Sequence, residues 1–236
     1  MFGWRARLGV VVPSSNTTVE AEFGRAVPDG VSVHTARMPL ESVTVDELDA
    51  MADDAVDCAE RLAHANVDVV AYACTTGSLL HGPGFDTELE TSLSETAGVP
   101  AVATALSVKR ALSALDAERI AVVTPYTDEL NEREESYLRD EGFDVVALHG
   151  RGIEANTGIG SLSPEDAYRQ VRRAVPNPDA VDAVFVSCTN YRTLPAIDAL
   201  ESDLGVPVVT SNQATLWDAL GRVGVPANVP GSVGER

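Results

Sequence analysis

One ten-residue segment occurs twice, and that repeat constrains the chain more than any other feature. Val-Asp-Val-Val-Ala-Tyr-Ala-Cys-Thr-Thr at 67–76 matches Val-Asp-Ala-Val-Phe-Val-Ser-Cys-Thr-Asn at 181–190. The offset from Cys74 to Cys188 is 114 residues. Two further pairs keep the same order. Leu-Gly-Val-Val-Val-Pro at 8–13 answers Ile-Ala-Val-Val-Thr-Pro at 120–125, offset by 112, and Gly-Val-Pro-Ala-Val at 98–102 answers Gly-Val-Pro-Val-Val at 205–209, offset by 107. Loop insertions produce small differences of this kind. A chain of 236 residues therefore holds two copies of one architecture, each about half its length.

Within each half, short apolar runs alternate with helical patterns, the signature of βα units on a parallel sheet. The runs are Arg7–Val12, Val31–Ala36, Val67–Ala73, Pro100–Ala103, Arg119–Thr124, Asp144–Leu148, Ala180–Val186 and Pro207–Thr210. They are rich in valine, as strands covered on both faces are. Between them, Leu48, Met51, Ala55, Cys58, Ala59 and Leu62 recur at helical spacing along Val45–Ala65. Thr44 followed by Glu47 predicts a capping box for that helix. Thr127–Glu141 and Pro164–Ala174 are predicted helices too, the second with Ser163 as N-cap. The segment from Pro226 to Arg236 is expected to fray.

Cys74 and Cys188 each fall just beyond a hydrophobic strand, where open parallel sheets bind ligands. Small polar residues follow each one, Thr75-Thr76-Gly77-Ser78 and Thr189-Asn190, and both stretches are suited to open a helix. A helix N-terminus presents unpaired N–H groups that lower a thiol's pKa and cradle carboxylates. Two such ends related by pseudo-twofold symmetry would present two thiols to opposite sides of one substrate. A single cysteine ending a strand is ordinarily a small buried hydrophobe. The recurrence of Cys-Thr at the same place argues against that reading here, whereas Cys58, alone on an apolar stripe, is core. The first strand ends in Pro13-Ser14-Ser15-Asn16-Thr17-Thr18, either a carboxylate cradle or an ordinary N-cap turn. Thr124-Pro125-Tyr126 holds the equivalent strand end in the second half, its phenol a donor or a packing lid.

The charge of −19, with Lys109 the sole lysine, argues against a nucleic-acid partner. Its even spread along the chain points to a halophilic protein of a salty cytoplasm more than to the handling of a charged substrate. No apolar run approaches the ~20 residues of a membrane span. The three cysteines form no CxxC pair, and His34, His64, His81 and His149 are scattered, so neither a metal site nor a cofactor is expected.

Taken together, Pro13–Thr18, Tyr72-Ala73-Cys74, Thr124-Pro125-Tyr126 and Ser187-Cys188-Thr189 resemble the signature blocks of the maleate cis–trans isomerases. These belong to the aspartate/glutamate racemase superfamily, with arylmalonate decarboxylases and several racemases. The resemblance runs from about Leu8 to Val225. It implies that Cys74 is the nucleophile toward an alkene and that Cys188 handles the proton on the other carbon. It implies further that Asn16, Tyr126 and Asn156 bind substrate carboxylates, beside donors at Ser15, Thr75 and Thr189. Asn131-Glu132-Arg133 and Gly205–Val209 are also similar to arylmalonate decarboxylase, which has glycine where this chain has Cys74. Ser187–Asn190 with Ser211-Asn212-Gln213 resembles ectoine-utilisation relatives.

The fold this resemblance implies is α/β: two pseudo-symmetric flavodoxin-like halves with parallel sheets and a cleft between them. The first half would comprise 1–105 with 211–236, the last helix returning from about Ser211, and the second 106–210. The expected activity is cofactor-independent isomerisation of a small dicarboxylate by the two cysteines, with a homodimer left open. The alternatives are a racemase using the thiols as opposed acid and base, a decarboxylase, and a binding module that has lost turnover.

Overall fold

The computed structural model describes residues 2–236, the side chains of 52 and 53 excepted. Its first half runs β1 (Ala6–Pro13), α1 (Val19–Ala26), β2 (Val31–Met38), α2 (Val45–Ala63), β3 (Val69–Tyr72), α3 (Thr75–Leu79), α4 (Phe85–Ala97), β4 (Ala101–Ala103) and α5 (Thr104–Ala114). Its second runs β5 (Arg119–Val123), α6 (Asp128–Asp140), β6 (Asp144–His149), α7 (Asn156–Gly160), α8 (Pro164–Ala174), β7 (Ala183–Val186), α9 (Ile197–Leu204) and β8 (Val208–Thr210). A last helix, α10 (Ser211–Arg222), follows directly.

The strands form two four-stranded parallel sheets of matching order, β2-β1-β3-β4 and β6-β5-β7-β8. The repeat in the sequence is thus a repeat of topology. Every residue of β3 and of β7 is buried, as expected of central strands covered on both faces. Leu8–Val11 of β1 lies beside Val69–Tyr72, and Ile120–Val123 of β5 lies beside Ala183–Val186. Cys74 and Cys188 therefore leave their sheets at corresponding points, each two residues past a strand end. The predicted stripe of α2 is buried from Leu48 to Leu62, each full-sized side chain contributing about 2 kcal/mol. Cys58 lies within it, in the core.

Helix α10 packs on α5, with Thr104 Oγ1 2.9 Å from Thr215 Oγ1 and Ser107 Oγ donating to Asp218 at 2.9 Å. Arg110 bridges Asp218 and Glu90, at 2.7 Å to each.

Several local expectations are corrected. Strand β7 begins at Ala183 and not at Ala180, because Pro178–Ala180 forms a 3-10 turn. The capping box of α2 is half formed. Thr44 accepts from the Glu47 N–H, but the Glu47 carboxylate turns away to the backbone N–H groups of Glu41 and Ser42, at 2.9 and 2.8 Å. In α8 the box is complete, with Asp166 as the reciprocal partner of Ser163. The tail does not fray: Val229 and Val233 are buried, and Gln213 Nε2 donates to the Pro230 carbonyl at 2.6 Å. Apolar anchors every few residues tie it down despite its glycines and prolines.

Candidate active site

The sequence-predicted residues converge on one small cavity between the sheets. Pro13, Asn16, Leu40, Val43, Cys74, Thr75, Thr76, Tyr126, Asn156, Cys188, Thr189 and Asn190 line it. The elements that end there do so for local reasons. Beyond β1 the chain turns through Asn16, whose Oδ1 accepts from the N–H groups of Thr18 and Val19 at 2.9 and 3.0 Å and starts α1. Its Nδ2 donates to Thr189 Oγ1 at 3.2 Å, and Thr189 Oγ1 donates to the Ala73 carbonyl at 3.0 Å. Each half thus reaches across to the other beside its cysteine.

Cys74 is the N-cap of α3, where the predicted helix opens. The Gly77 N–H and the Thr76 hydroxyl, 3.9 Å away, face its sulfur. Gly77 is required by close packing: a Cβ there would lie 2.6 Å from the Tyr72 hydroxyl and 3.1 Å from Cys74 Sγ.

Cys188 differs. Its φ is +94°, in a region that a side chain rarely adopts, and no helix opens after it. The Cys188 N–H donates to Ser211 Oγ at 3.0 Å, which fixes the turn, and Thr75 Oγ1 donates to the same oxygen at 2.8 Å. The Asn190 N–H points back to the Cys188 sulfur at 3.4 Å, and the Tyr126 hydroxyl lies beside it.

Neither thiol is depressed, contrary to what helix ends alone predict. Burial pushes Cys74 up to about 11, against the opposing pull of Gly77 and Thr76. It pushes Cys188 up to about 12, against Tyr126 and Asn190, with the Cys74 sulfur close enough to add its own repulsion. Taking a thiolate out of water costs more than a few N–H donors return.

Of the other candidates, Asn156 is brought to the cavity by α7. Its Nδ2 donates to Ser15 Oγ at 2.8 Å, and its carbonyl and Oδ1 accept from Asn190 Nδ2 at 2.7 and 3.0 Å. Ser15 stands behind this wall, its hydroxyl on the Leu40 carbonyl. None of the four histidines lines the cavity. Among the described residues no cluster is suited to hold a metal ion.

Leu40 and Val43 were not singled out in the sequence, where they read as loop. They close the cavity from the segment between β2 and α2, held by the Val43 N–H on the Glu154 carbonyl at 2.9 Å and the Asn156 N–H on Glu41 at 3.3 Å. In this closed form the cavity is about 10 Å³, room for about one water. A larger groove of about 480 Å³, between α1 and the 192–195 turn, contains neither cysteine.

Two parallel-sheet halves, each delivering a buried cysteine to a shared cleft rich in amide and hydroxyl groups, define a two-thiol α/β enzyme. Residues 8–234 match the arylmalonate decarboxylase family, and the chain belongs to that family. It is 34% identical to a maleate isomerase of Nocardia farcinica, over 96% of this chain and 93% of that one. It superimposes on a maleate isomerase from Pseudomonas putida S16, a cysteine-to-alanine variant solved with maleate, with a TM-score of 0.92, 30% identity and 97% of each chain covered. For a cysteine-to-serine mutant of the Nocardia farcinica maleate cis–trans isomerase, solved with a covalently bound succinylcysteine intermediate, the TM-score is 0.91 at 30% identity, covering 97% of this chain and 98% of that one.

Proposed function

We propose that this chain is a cofactor-independent cis–trans isomerase of a small cis-dicarboxylate, of the maleate-to-fumarate type, with Cys74 as nucleophile and Cys188 as its partner. The observation that carries this reading is the pair of buried thiols meeting at one cavity from equivalent strand ends. The succinylcysteine of the Nocardia relative supports it, because a thioether on a four-carbon diacid is what thiolate addition to maleate produces.

The Cys74 thiolate adds to one alkene carbon, and the alkene electron pair moves onto the adjacent carboxylate. Cys188 gives its proton to the second carbon, leaving a single carbon–carbon bond free to rotate. Cys188 then takes a proton back from that carbon, and the electron pair expels the Cys74 thiolate and forms the trans alkene. The N–H and hydroxyl donors around Asn16, Thr75 and Thr189 would hold the charge that develops on the carboxylate. A dicarboxylate needs far more room than one water, so entry requires the Leu40–Val43 wall to move. We read residues 1–105 with 211–236 as one flank of the cleft and 106–210 as the other, the packing of α10 on β3 and β4 supporting the return of the last helix to the first flank.

Proton NMR of the purified protein with maleate tests the proposal. Fumarate should form with the native chain and be lost in both Cys74→Ala and Cys188→Ala. Growth unaffected by either substitution would refute the thiol assignment. The family match favours decarboxylation as the second reading. Release of carbon dioxide from an arylmalonate, with no turnover of maleate, would select it.

A further inference from the structure

The two cysteines leave equivalent strand ends, but the chain beyond them is held differently. After Cys74 the backbone closes into α3, and the Ser78 N–H donates to the Cys74 carbonyl at 3.2 Å. Residues 189–193 belong to no helix, so the polar backbone groups that follow Cys188 need partners elsewhere. Side chains of α1 and α10, with Thr18 just ahead of α1, supply them. Ser211 takes the Cys188 N–H, and the next residue, Asn212, donates through Nδ2 to the Thr189 carbonyl at 2.9 Å. Thr18 Oγ1 donates to the Asn190 carbonyl at 2.9 Å. The Thr193 and Leu194 N–H groups donate to Glu22 Oε1 at 2.9 and 3.1 Å.

Glu22 is the group common to both ends of this segment. It projects from α1 and is buried, and its Oε2 accepts from Asn212 Nδ2 at 2.7 Å. Both bonds of the Asn212 amide thus leave from its nitrogen, while its buried Oδ1 has no partner among the described residues. An unpaired buried acceptor is costly. The amide keeps this orientation because, reversed, its oxygen would face the Glu22 carboxylate and the Thr189 carbonyl, two acceptors.

We propose that Glu22 is a positioning residue for Cys188: through Asn212 at one end and the Thr193 and Leu194 N–H groups at the other, its carboxylate fixes the turn that presents the Cys188 sulfur to the cavity. This inference rests on the assignment of Cys188 as the partner thiol. With φ at +94°, the Cys188 backbone stands in a region that persists only where the surroundings over-determine it. Helix α1, which Asn16 starts at the cavity, carries Glu22 to that turn from the other half of the chain. A carboxylate suits the task because it accepts at both oxygens, whereas an amide has one acceptor and one donor end. Burial raises Glu22 to about 7 against the pull of Asn212, Leu194, Thr193 and Arg192, so above that pH all three hydrogen bonds are made to a charge.

The test reads the two thiols side by side. At about pH 8, where Glu22 is ionised, iodoacetamide alkylation of the folded chain is followed by peptide mass spectrometry, which distinguishes Cys74 from Cys188. A general loosening of the fold speeds both thiols alike, whereas release of the turn speeds Cys188 alone. In Glu22→Gln the Cys188 rate should rise at least about tenfold relative to that of Cys74. With maleate, kcat should fall at least about tenfold, more than KM changes. Asn212→Ala leaves Glu22 on Thr193 and Leu194 and removes the arm to Thr189, and it should show the same selective acceleration. The double variant should exceed Glu22→Gln by less than about threefold, because the arm it removes is already broken. If Glu22→Gln does not fold, Asn212→Ala still decides. Acceleration of both thiols alike, or of neither, would overturn the proposal, as would effects that multiply in the double variant. Selective acceleration in a chain that leaves maleate untouched would remove the isomerase reading and leave the positioning of Cys188 standing.

Discussion

Glu134, a carboxyl of α6 that is fully buried with no hydrogen bond to either oxygen, makes a quantitative prediction about stability. In an unfolded chain Glu134 titrates near 4.5, whereas in the fold burial raises it to about 7. The folded state therefore binds the proton more tightly, so this group's contribution is complete below about 4.5 and is lost as pH rises through 7. At about 1.4 kcal/mol per pH unit, the gap amounts to roughly 3 kcal/mol lost between pH 4.5 and 8.5. Glu134→Gln keeps the shape and removes the ionisation. Its own cost as a buried amide is the same at every pH and cancels from the comparison. Urea unfolding of both proteins at pH 5 and pH 8.5 measures the difference. With a slope of about 2–3 kcal/mol per molar, the variant's midpoint should gain about 1 M on the native chain in moving to the higher pH. A midpoint difference that is the same at both pH values would refute the reasoning, because it would mean that Glu134 is not held in a medium hostile to its charge.

Three further outcomes follow from the geometry. Gly77→Ala drives a Cβ against the Tyr72 hydroxyl and toward Cys74 Sγ, and should cost about 1–3 kcal/mol in thermal unfolding and at least about tenfold in kcat. An unchanged kcat would show that the sulfur position tolerates displacement. With Cys74 pushed up to about 11, its thiolate fraction grows as pH rises, so kcat/KM should increase by nearly tenfold per unit between pH 7 and 9. A flat profile there would mean that some group other than solvent takes the Cys74 proton. Arg110→Ala leaves Glu90 and Asp218 facing each other without their bridging cation, and should lower stability by about 3 kcal/mol. Salt should recover part of that loss. No recovery in concentrated salt would argue against an electrostatic cause.

The repeat made the likeness of the two sheets and the placement of both thiols legible, because a duplicated βα segment must end its strands alike and each end carried a cysteine. Asn16, Thr75, Tyr126 and Thr189 followed as the polar residues at those same ends. What stayed hidden depends on contacts remote in the chain. Leu40 and Val43 are ordinary apolar residues that gain meaning only when Glu154 and Asn156 of the other half hold their segment over the cavity. Ser211 sits where the last helix begins, and only the fold reveals that its hydroxyl joins Thr75 to the Cys188 N–H. Glu134 reads in sequence as one more acid on a charged helix.

The asymmetry between the halves was hidden for a related reason. Identical Cys-Thr pairs suggest identical thiols, yet only Cys74 caps a helix, while Cys188 is held at positive φ by Ser211. Depression of both pKa values was a sound inference from helix ends in water and failed because both sulfurs are dry. Dryness also bears on function. A thiol that is neutral at rest does not react indiscriminately with solutes, and it becomes a nucleophile only in the small fraction of molecules in which it has lost its proton. A two-thiol site built this way gains selectivity from burial, because both thiols stay protonated until a substrate is enclosed beside them, and the proton Cys188 gives to one carbon returns to it from that same carbon.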